Sequence, residues 1–437
     1  MRYGQNVVRI GEPGSGKTEA TVTSIAQSNG AEVNLDPHED SLARKALIHT
    51  EGNVLFARLS DVRHAIGFEL LKQSNDPLEN HLRAEAFVDI LVRRRNADGL
   101  AATPLLEEWV MAALMLVLFQ RRPKPIRWLP SAFTPGTKRF AALLRGCQLA
   151  DVRRKFRFLS TLSPRALRAE VGSASRLITS VFRSPAFIAW SQGGFDLGGF
   201  LEQKGRLIVE RGKEIGHDTM RTIMAAIILL TITYAEQRKF ALPTIRVRID
   251  EATNAGLLTN TELKAAAEHN KRGLYFEFNL QRLDVPCDPN DLLQLCHRHE
   301  WYRCSNYELA RKAATDIVAG LPGSDQPRAQ RVAAIADEIM NFSLGWRFVR
   351  DRSGSRKEYV PMLQNPWPDW PGLREAKLQE KLQLIYNRTE YRKPDEPTST
   401  TTSRCATRPS NRLPEPDSPA LRLKQRGKRP TDGSARN

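Results

Sequence analysis

The sequence predicts an α/β fold with a central, mostly parallel sheet, interrupted by a helical lobe and followed by an unstructured tail. Three observations carry this. A short apolar strand, a glycine-rich turn and a helix follow one another within the first thirty residues, and the same rhythm resumes at Gly205. Between these two stretches the pattern from Pro77 to Trp190 is mostly helical. Beyond Lys393 the composition shifts: no aromatic residue, seven prolines, many Ser and Thr and a net positive charge.

Taken in order, Asn6–Ile10 reads as a buried strand, Gly11–Gly16 as a turn and Lys17–Gln27 as a helix. A second strand spans Glu32–Leu35 and ends at Asp36, and a third spans Asn53–Ala57. In the helical lobe, breaks fall at Arg121–Pro130 and Ser131–Gly136. Lys138–Arg183 carries eleven Lys or Arg against two acids, Asp151 and Glu170, so at least one face of the lobe is basic. Then come a strand at Arg206–Glu210, a long apolar helix at Asp218–Arg238 and a strand at Thr244–Ile249 that ends in Asp250-Glu251. A helix at Asn260–Asn270 precedes a strand at Leu274–Leu280, which ends at Gln281, and Glu358–Leu363 reads as an edge strand. The expected divisions are residues 1–76 and 201–365 for the α/β core, 77–200 for the lobe, 366–392 for a C-terminal helix and 393–437 for a disordered tail.

With 437 residues, 41% hydrophobic and 26% charged, the chain is long enough to bury a large core. Its 66 Lys plus Arg against 49 Asp plus Glu leave a formal charge of +17, which favours polyanionic partners such as nucleic acid or an anionic membrane. Five dispersed cysteines do not suggest a disulfide framework, and no signal peptide precedes the first strand, so a cytoplasmic location is expected. The apolar stretches Trp109–Phe119 and Thr222–Tyr234 fall short of the roughly 20 residues of a spanning helix. They are expected to be buried core helices, leaving the chain without a membrane span of its own.

The chemistry begins at Gly11-Glu12-Pro13-Gly14-Ser15-Gly16-Lys17-Thr18, a full match to G-x-x-x-x-G-K-[ST]. Such a P-loop aims successive backbone N–H groups at phosphate oxygens, adds the positive end of the following helix, and places Lys17 on the β/γ oxygens and the Thr18 hydroxyl on Mg²⁺. Glu19 follows within the same nucleotide-binding segment. The glycine order excludes a dinucleotide fingerprint. Asp250, at the end of a strand, is the candidate second Mg²⁺ residue, acting through water, and Glu251 the candidate general base. Arginines 246 and 248 make that strand less apolar than usual. Gln281 is placed to sense the γ-phosphate or position water.

Asn34-Leu35-Asp36-Pro37-His38-Glu39-Asp40 resembles the "DPHGD" signature of the HerA/FtsK-like ATPases, which include conjugative coupling proteins of type IV secretion and HerA helicases. Ile249-Asp250-Glu251-Ala252 and Leu280-Gln281 fall where that family has its "DEA" and its terminal Gln, and the resemblance spans about residues 5 to 365. It implies a RecA-like ATPase, using ATP and Mg²⁺, that forms a ring, usually a hexamer, and pumps or unwinds DNA. It also implies a nucleotide-site role for Asp36, for which a helix-capping turn is the plainer alternative. A neighbouring subunit is expected to supply an arginine, with Arg272 and Arg211 as candidates. Glu39 stands in place of the family's glycine. The P-loop begins at residue 11, so the expectation is that a separate membrane or N-terminal-module partner supplies what relatives carry before it.

Competing readings are a P-loop phosphotransferase or signalling NTPase that ignores DNA, and a nucleotide-gated DNA-binding scaffold. Cys287, Cys296, His297, His299 and Cys304 match no usual zinc spacing, and buried thiols are expected there. The tail cluster Arg422, Lys424, Arg426, Lys428 and Arg429 reads as a flexible tether for nucleic acid or an acidic partner.

Overall fold

The computed structural model describes residues 4–38, 42–68, 71, 73–92, 103–239, 241, 243–253, 255–283, 285, 288–361, 363, 373–388 and 390–391. Glu39, Asp40, Cys287 and the tail 393–437 lie outside the described residues. The chain divides into Met1–Pro394 and Asp395–Asn437, and all the described elements belong to the first unit.

The first elements are β1 (Val7–Ile10), α1 (Lys17–Ala26), β2 (Ala31–Asp36), α2 (Leu42–His49) and β3 (Val54–Arg58). Seven helices follow: α3 (Pro77–Leu91), α4 (Pro104–Leu118), α5 (Lys138–Gly146), α6 (Ala150–Leu159), α7 (Pro164–Phe182), α8 (Pro185–Trp190) and α9 (Leu197–Glu202). Then come β4 (Arg206–Glu210), α10 (His217–Gln237), β5 (Ile245–Ile249), α11 (Asn260–Glu268), β6 (Leu274–Leu280), α12 (Pro289–Leu295) and β7 (Arg298–Trp301). The last are α13 (Tyr307–Ala319), α14 (Arg328–Met340), the hairpin β8 (Trp346–Asp351) and β9 (Gly354–Tyr359), and α15 (Leu373–Tyr386).

Local chemistry sets many of the helix starts. Asp76, Thr103, Ser163 and Asp288 each cap a backbone N–H, and each is followed by a proline at the first helical position, where no N–H is needed. Thr259 and Glu262 form a reciprocal capping box on α11. α2 is an additional helix between the second and third expected strands.

The nine strands form one sheet in the order β3-β4-β2-β5-β6-β1-β7-β8-β9. The first seven pair in parallel, and β8 and β9 complete the sheet antiparallel. The edge strand expected at Glu358–Leu363 lies earlier in the chain, as β9 at Gly354–Tyr359, and shares only Glu358 and Tyr359 with the expectation. The other edge, β3, is covered by side chains: Tyr391 bonds both the N–H and the carbonyl of Phe56, and Arg388 donates to the Val54 carbonyl.

The two faces of the sheet differ in chemistry. One carries Val33, Leu35, Val247, Ile249, Phe276, Phe278, Val8 and Ile10, all essentially solvent-free. The opposite face, under α1, is ionic although it is equally buried. Arg248 pairs with Glu32 at 2.9 Å and Glu277 at 3.2 Å, while Arg9 bridges Glu277 at 2.8 Å and Glu300 at 2.9 Å. Arg347 joins Glu300 at 2.6 Å to Glu358 at 2.9 Å. α1 docks on this face through polar contacts, Ser24 Oγ accepting from Arg248 at 3.2 Å and Thr21 from Asn279 at 3.0 Å.

α10 runs for 21 residues and is apolar enough by length and hydropathy to span a membrane, longer than the Thr222–Tyr234 stretch suggested. It is a helix of the core: Ile223, Ile227 and Ile228 have no solvent exposure.

Candidate functional site

The site gathers at the carboxyl ends of β1, β2, β5 and β6, where a parallel sheet leaves loops free to turn toward a ligand. Gly11 N donates to the Leu280 carbonyl at 3.2 Å and Glu12 N to the Arg303 carbonyl at 2.9 Å, so the P-loop is anchored to the end of β6 and to the segment that follows β7. Gly16 caps α1 with φ +104°, a left-handed turn that favours glycine, and no side chain takes up the helix's first N–H groups. Lys17 Nζ folds back onto the Gly11 carbonyl at 2.5 Å and the Glu12 carbonyl at 2.9 Å. Burial lowers its pKa, opposed by the charges of Asp250 and Glu251.

Asp250 is 4% exposed. Its backbone N–H donates to the Leu35 carbonyl, and its Oδ1 accepts from Asn279 Nδ2 at 2.8 Å. Burial raises its pKa, against the hydrogen bond from Asn279 and the charge of Lys17. Glu251 follows with φ +44°, a left-handed conformation that costs a non-glycine residue about 1–3 kcal/mol and recurs at functional sites. Gln281 Nε2 donates to its Oε1, and His38 Nε2 lies 2.5 Å from its Oε2. Three strand ends, those of β2, β5 and β6, thus meet on one carboxylate.

Other expected residues take different places. Asp36 spends its carboxylate on the chain's own backbone, Oδ1 accepting from His38 N and Oδ2 from Leu42 N and Ala43 N at the start of α2. That is the helix-capping alternative. Glu12 is held by Arg303 and by Ser305 N at 3.1 Å, Glu19 by Lys45, and Pro13 is exposed. Thr18 is half-buried on the first turn of α1. Arg211 lies at the site's end of β4, its Nη2 donating to the Ile215 carbonyl at 3.3 Å. Arg272 is exposed just before β6, about 25 Å along the strand from the P-loop end.

The thiols behave as expected of core groups: Cys296 is buried, and Cys304, its pKa pushed up to about 12 by burial, donates to the Tyr302 carbonyl. His299 is held by Asp316 at 2.8 Å and by the carbonyls of Leu293 and Cys296. Among the described residues, no group of three His, Cys, Asp or Glu is arranged to hold a metal by itself.

A triphosphate with Mg²⁺ fits this cradle. Ser15 Oγ is buried without a hydrogen-bond partner among the described residues, the start of α1 is uncapped, and a buried ammonium stands at the loop. Thr18 and Asp250 supply the hard oxygen donors that Mg²⁺ prefers. A cleft of about 1080 Å³ runs from Glu12 and Pro13 past Gln281 to Asn306, Arg311 and Lys312. Sequence reasoning assigned no role to Asn279 or to the His38 side chain. The available signal for Asn279 was its position near the end of β6, two residues before Gln281.

Parallel sheet, P-loop and acidic strand end together define a RecA-like P-loop NTPase fold. The chain superposes on the bacterial conjugative coupling protein TrwB in its unbound form with a TM-score of 0.58, covering 83% of this chain and 86% of that one at 15% identity. The TrwB complex with ADP and Mg²⁺ gives 0.57 at 14% identity, covering 84% and 88%. VirB4 of Thermoanaerobacter pseudethanolicus gives 0.50 at 12% identity, covering 83% and 90%. No protein-family model and no curated protein sequence matches the chain.

Proposed function

We propose that the chain is an ATP-hydrolysing motor that assembles as a ring, most simply a hexamer, and moves DNA. The observation that carries this reading is the convergence of Lys17, Asp250, Glu251 and Gln281 around one P-loop. A phosphotransferase needs no carboxylate beside the metal residue to activate water, whereas a hydrolase does. Structures of TrwB, a conjugative coupling protein of the same fold, hold ADP with Mg²⁺ and non-hydrolysable analogues of ATP and GTP, which supports ATP and Mg²⁺ here.

In this reading Mg²⁺ and the P-loop neutralise charge that develops on the phosphates during hydrolysis. Lys17 binds the β/γ oxygens, Thr18 and Asp250 hold the metal, Asp250 through water, and Glu251 takes the proton from the attacking water. Gln281 positions that water and Glu251 together. A neighbouring subunit contributes an arginine, for which Arg211 and Arg272 are the candidates. The motor works in the cytoplasm.

DNA contact is assigned to the helical lobe. Lys138, Arg139, Arg145, Arg157, Arg165, Arg168 and Arg176 are exposed there, on α5, α6 and α7. Phosphate contacts of that kind are salt-sensitive. The test is the ATPase rate with and without single- and double-stranded DNA at two salt concentrations. The rate is expected to rise with DNA at low salt and to rise less at high salt. Turnover that ignores DNA at both would instead favour a signalling NTPase or phosphotransferase.

A further inference from the structure

An exposed aromatic surface stands beside the P-loop and belongs to none of the groups above. The loop entering β8 touches the cap of α1 glycine to glycine: a Cβ on Gly16 would lie 3.2 Å from Gly345 N and 3.6 Å from Leu344 Cδ1. Gly345 N donates to the Ser15 carbonyl at 3.5 Å. Gly345 has φ +85°, and a Cβ there would meet the Tyr359 ring at 3.0 Å. The Tyr359 ring therefore lies over Gly345, one residue removed from the phosphate loop. It is 53% exposed, and Leu344 next to it is 44% exposed. Trp346 pairs with Tyr359 across the strands, its ring 5.3 Å away, and Lys357 sits over the Trp346 ring at 4.7 Å. Tyr359 is thus braced from behind and open in front.

The direction of the P-loop says what would lie on it. Glu12 and Pro13 border the cleft shared with Gln281, which marks the γ-phosphate end. Gly16, at the cap of α1, lies toward the opposite end of the loop, from which the nucleoside departs, while Lys17 and Thr18 stay with the β/γ-phosphates. That end faces Leu344, Gly345 and Tyr359.

We propose that Tyr359, buttressed by Trp346 and walled by Leu344, is the platform on which the base of the bound nucleoside triphosphate stacks. The assignment rests on the nucleotide-site reading above and extends it from the phosphates to the base. Stacking on an exposed ring is available to any base, so the platform favours nucleotide over free polyphosphate and discriminates weakly between purines.

The test measures binding of Mg-ATP and of Mg-tripolyphosphate to the full chain, as wild type, Tyr359→Ala, Tyr359→Phe and Lys17→Ala, by calorimetry. Tyr359→Ala is expected to weaken ATP about ten-fold or more while leaving tripolyphosphate unchanged, and Tyr359→Phe to stay near wild type. Lys17→Ala should weaken both ligands. ATP affinity untouched by Tyr359→Ala, or equal losses for ATP and tripolyphosphate, would overturn the platform while leaving the P-loop reading in place. A Tyr359→Ala chain that changes its sedimentation and not its ATP affinity would make the cluster a subunit contact and also overturn the platform. Wild type that binds neither ligand would overturn the nucleotide site itself.

Discussion

Glu251 shows how single residues at this site divide into those written locally and those assembled by the fold. The P-loop is contiguous, so its eight residues are legible as a string. The clamp on Glu251 is not: His38 is 213 positions away and Gln281 is 30, and only the sheet order β2-β5-β6 brings them together. The Asp36–His38 segment was readable as a motif, yet its two side chains take separate tasks, Asp36 capping α2 and His38 reaching Glu251. His299 and Asp316 offer a test at this scale. Burial alone would lower the histidine's pKa, but Asp316 and two carbonyls raise it above its ordinary value. A histidine raised in this way adds stability below its unfolded pKa of about 6.5, and that stability is lost as pH rises through the folded value. Asp316→Asn is therefore expected to destabilise the fold by about 3 kcal/mol at pH 6 and by less at pH 9, read from urea unfolding. An equal loss at both pH values would contradict the assigned pair.

At the level of elements, β5 and β6 were legible as strands even though charged residues interrupt them. Buried parallel strands normally read as continuous apolar runs. Here Arg246 and Arg248 in β5, Glu277 in β6 and Glu300 in β7 break that pattern, because one face of the sheet is filled by ion pairs rather than hydrocarbon. Although burial alone would raise Glu277, Arg248, Arg9 and Arg246 hold it well below the usual carboxylate range, and Glu300 falls to about 2 for the same kind of reason. Removing the charge of Glu277 leaves three arginines short of a partner in a solvent-free layer. Glu277→Gln is expected to cost about 3–5 kcal/mol in urea unfolding. Asp151→Asn, which breaks an exposed pair with Arg154, should leave the unfolding midpoint in place. α2 escaped the sequence reading because eight residues carry too little periodicity to announce a helix, and its N-terminus is capped by Asp36 from six positions upstream.

For the whole molecule, the alternation of strand and helix on either side of a helical stretch was enough to give the mostly parallel sheet and the run of helices between its two parts. Strand order, the antiparallel β8–β9 edge and the aromatic cluster beside the P-loop were not readable, since they depend on contacts between distant segments. The same long-range order makes the central claim testable with one substitution. Glu251→Gln keeps the shape of the side chain and its hydrogen-bonding reach while removing its basicity. Measured for ATP affinity and steady-state turnover together, this variant is expected to bind ATP within about three-fold of wild type and to hydrolyse it at least about 100-fold more slowly. Turnover close to that of wild type would contradict the account.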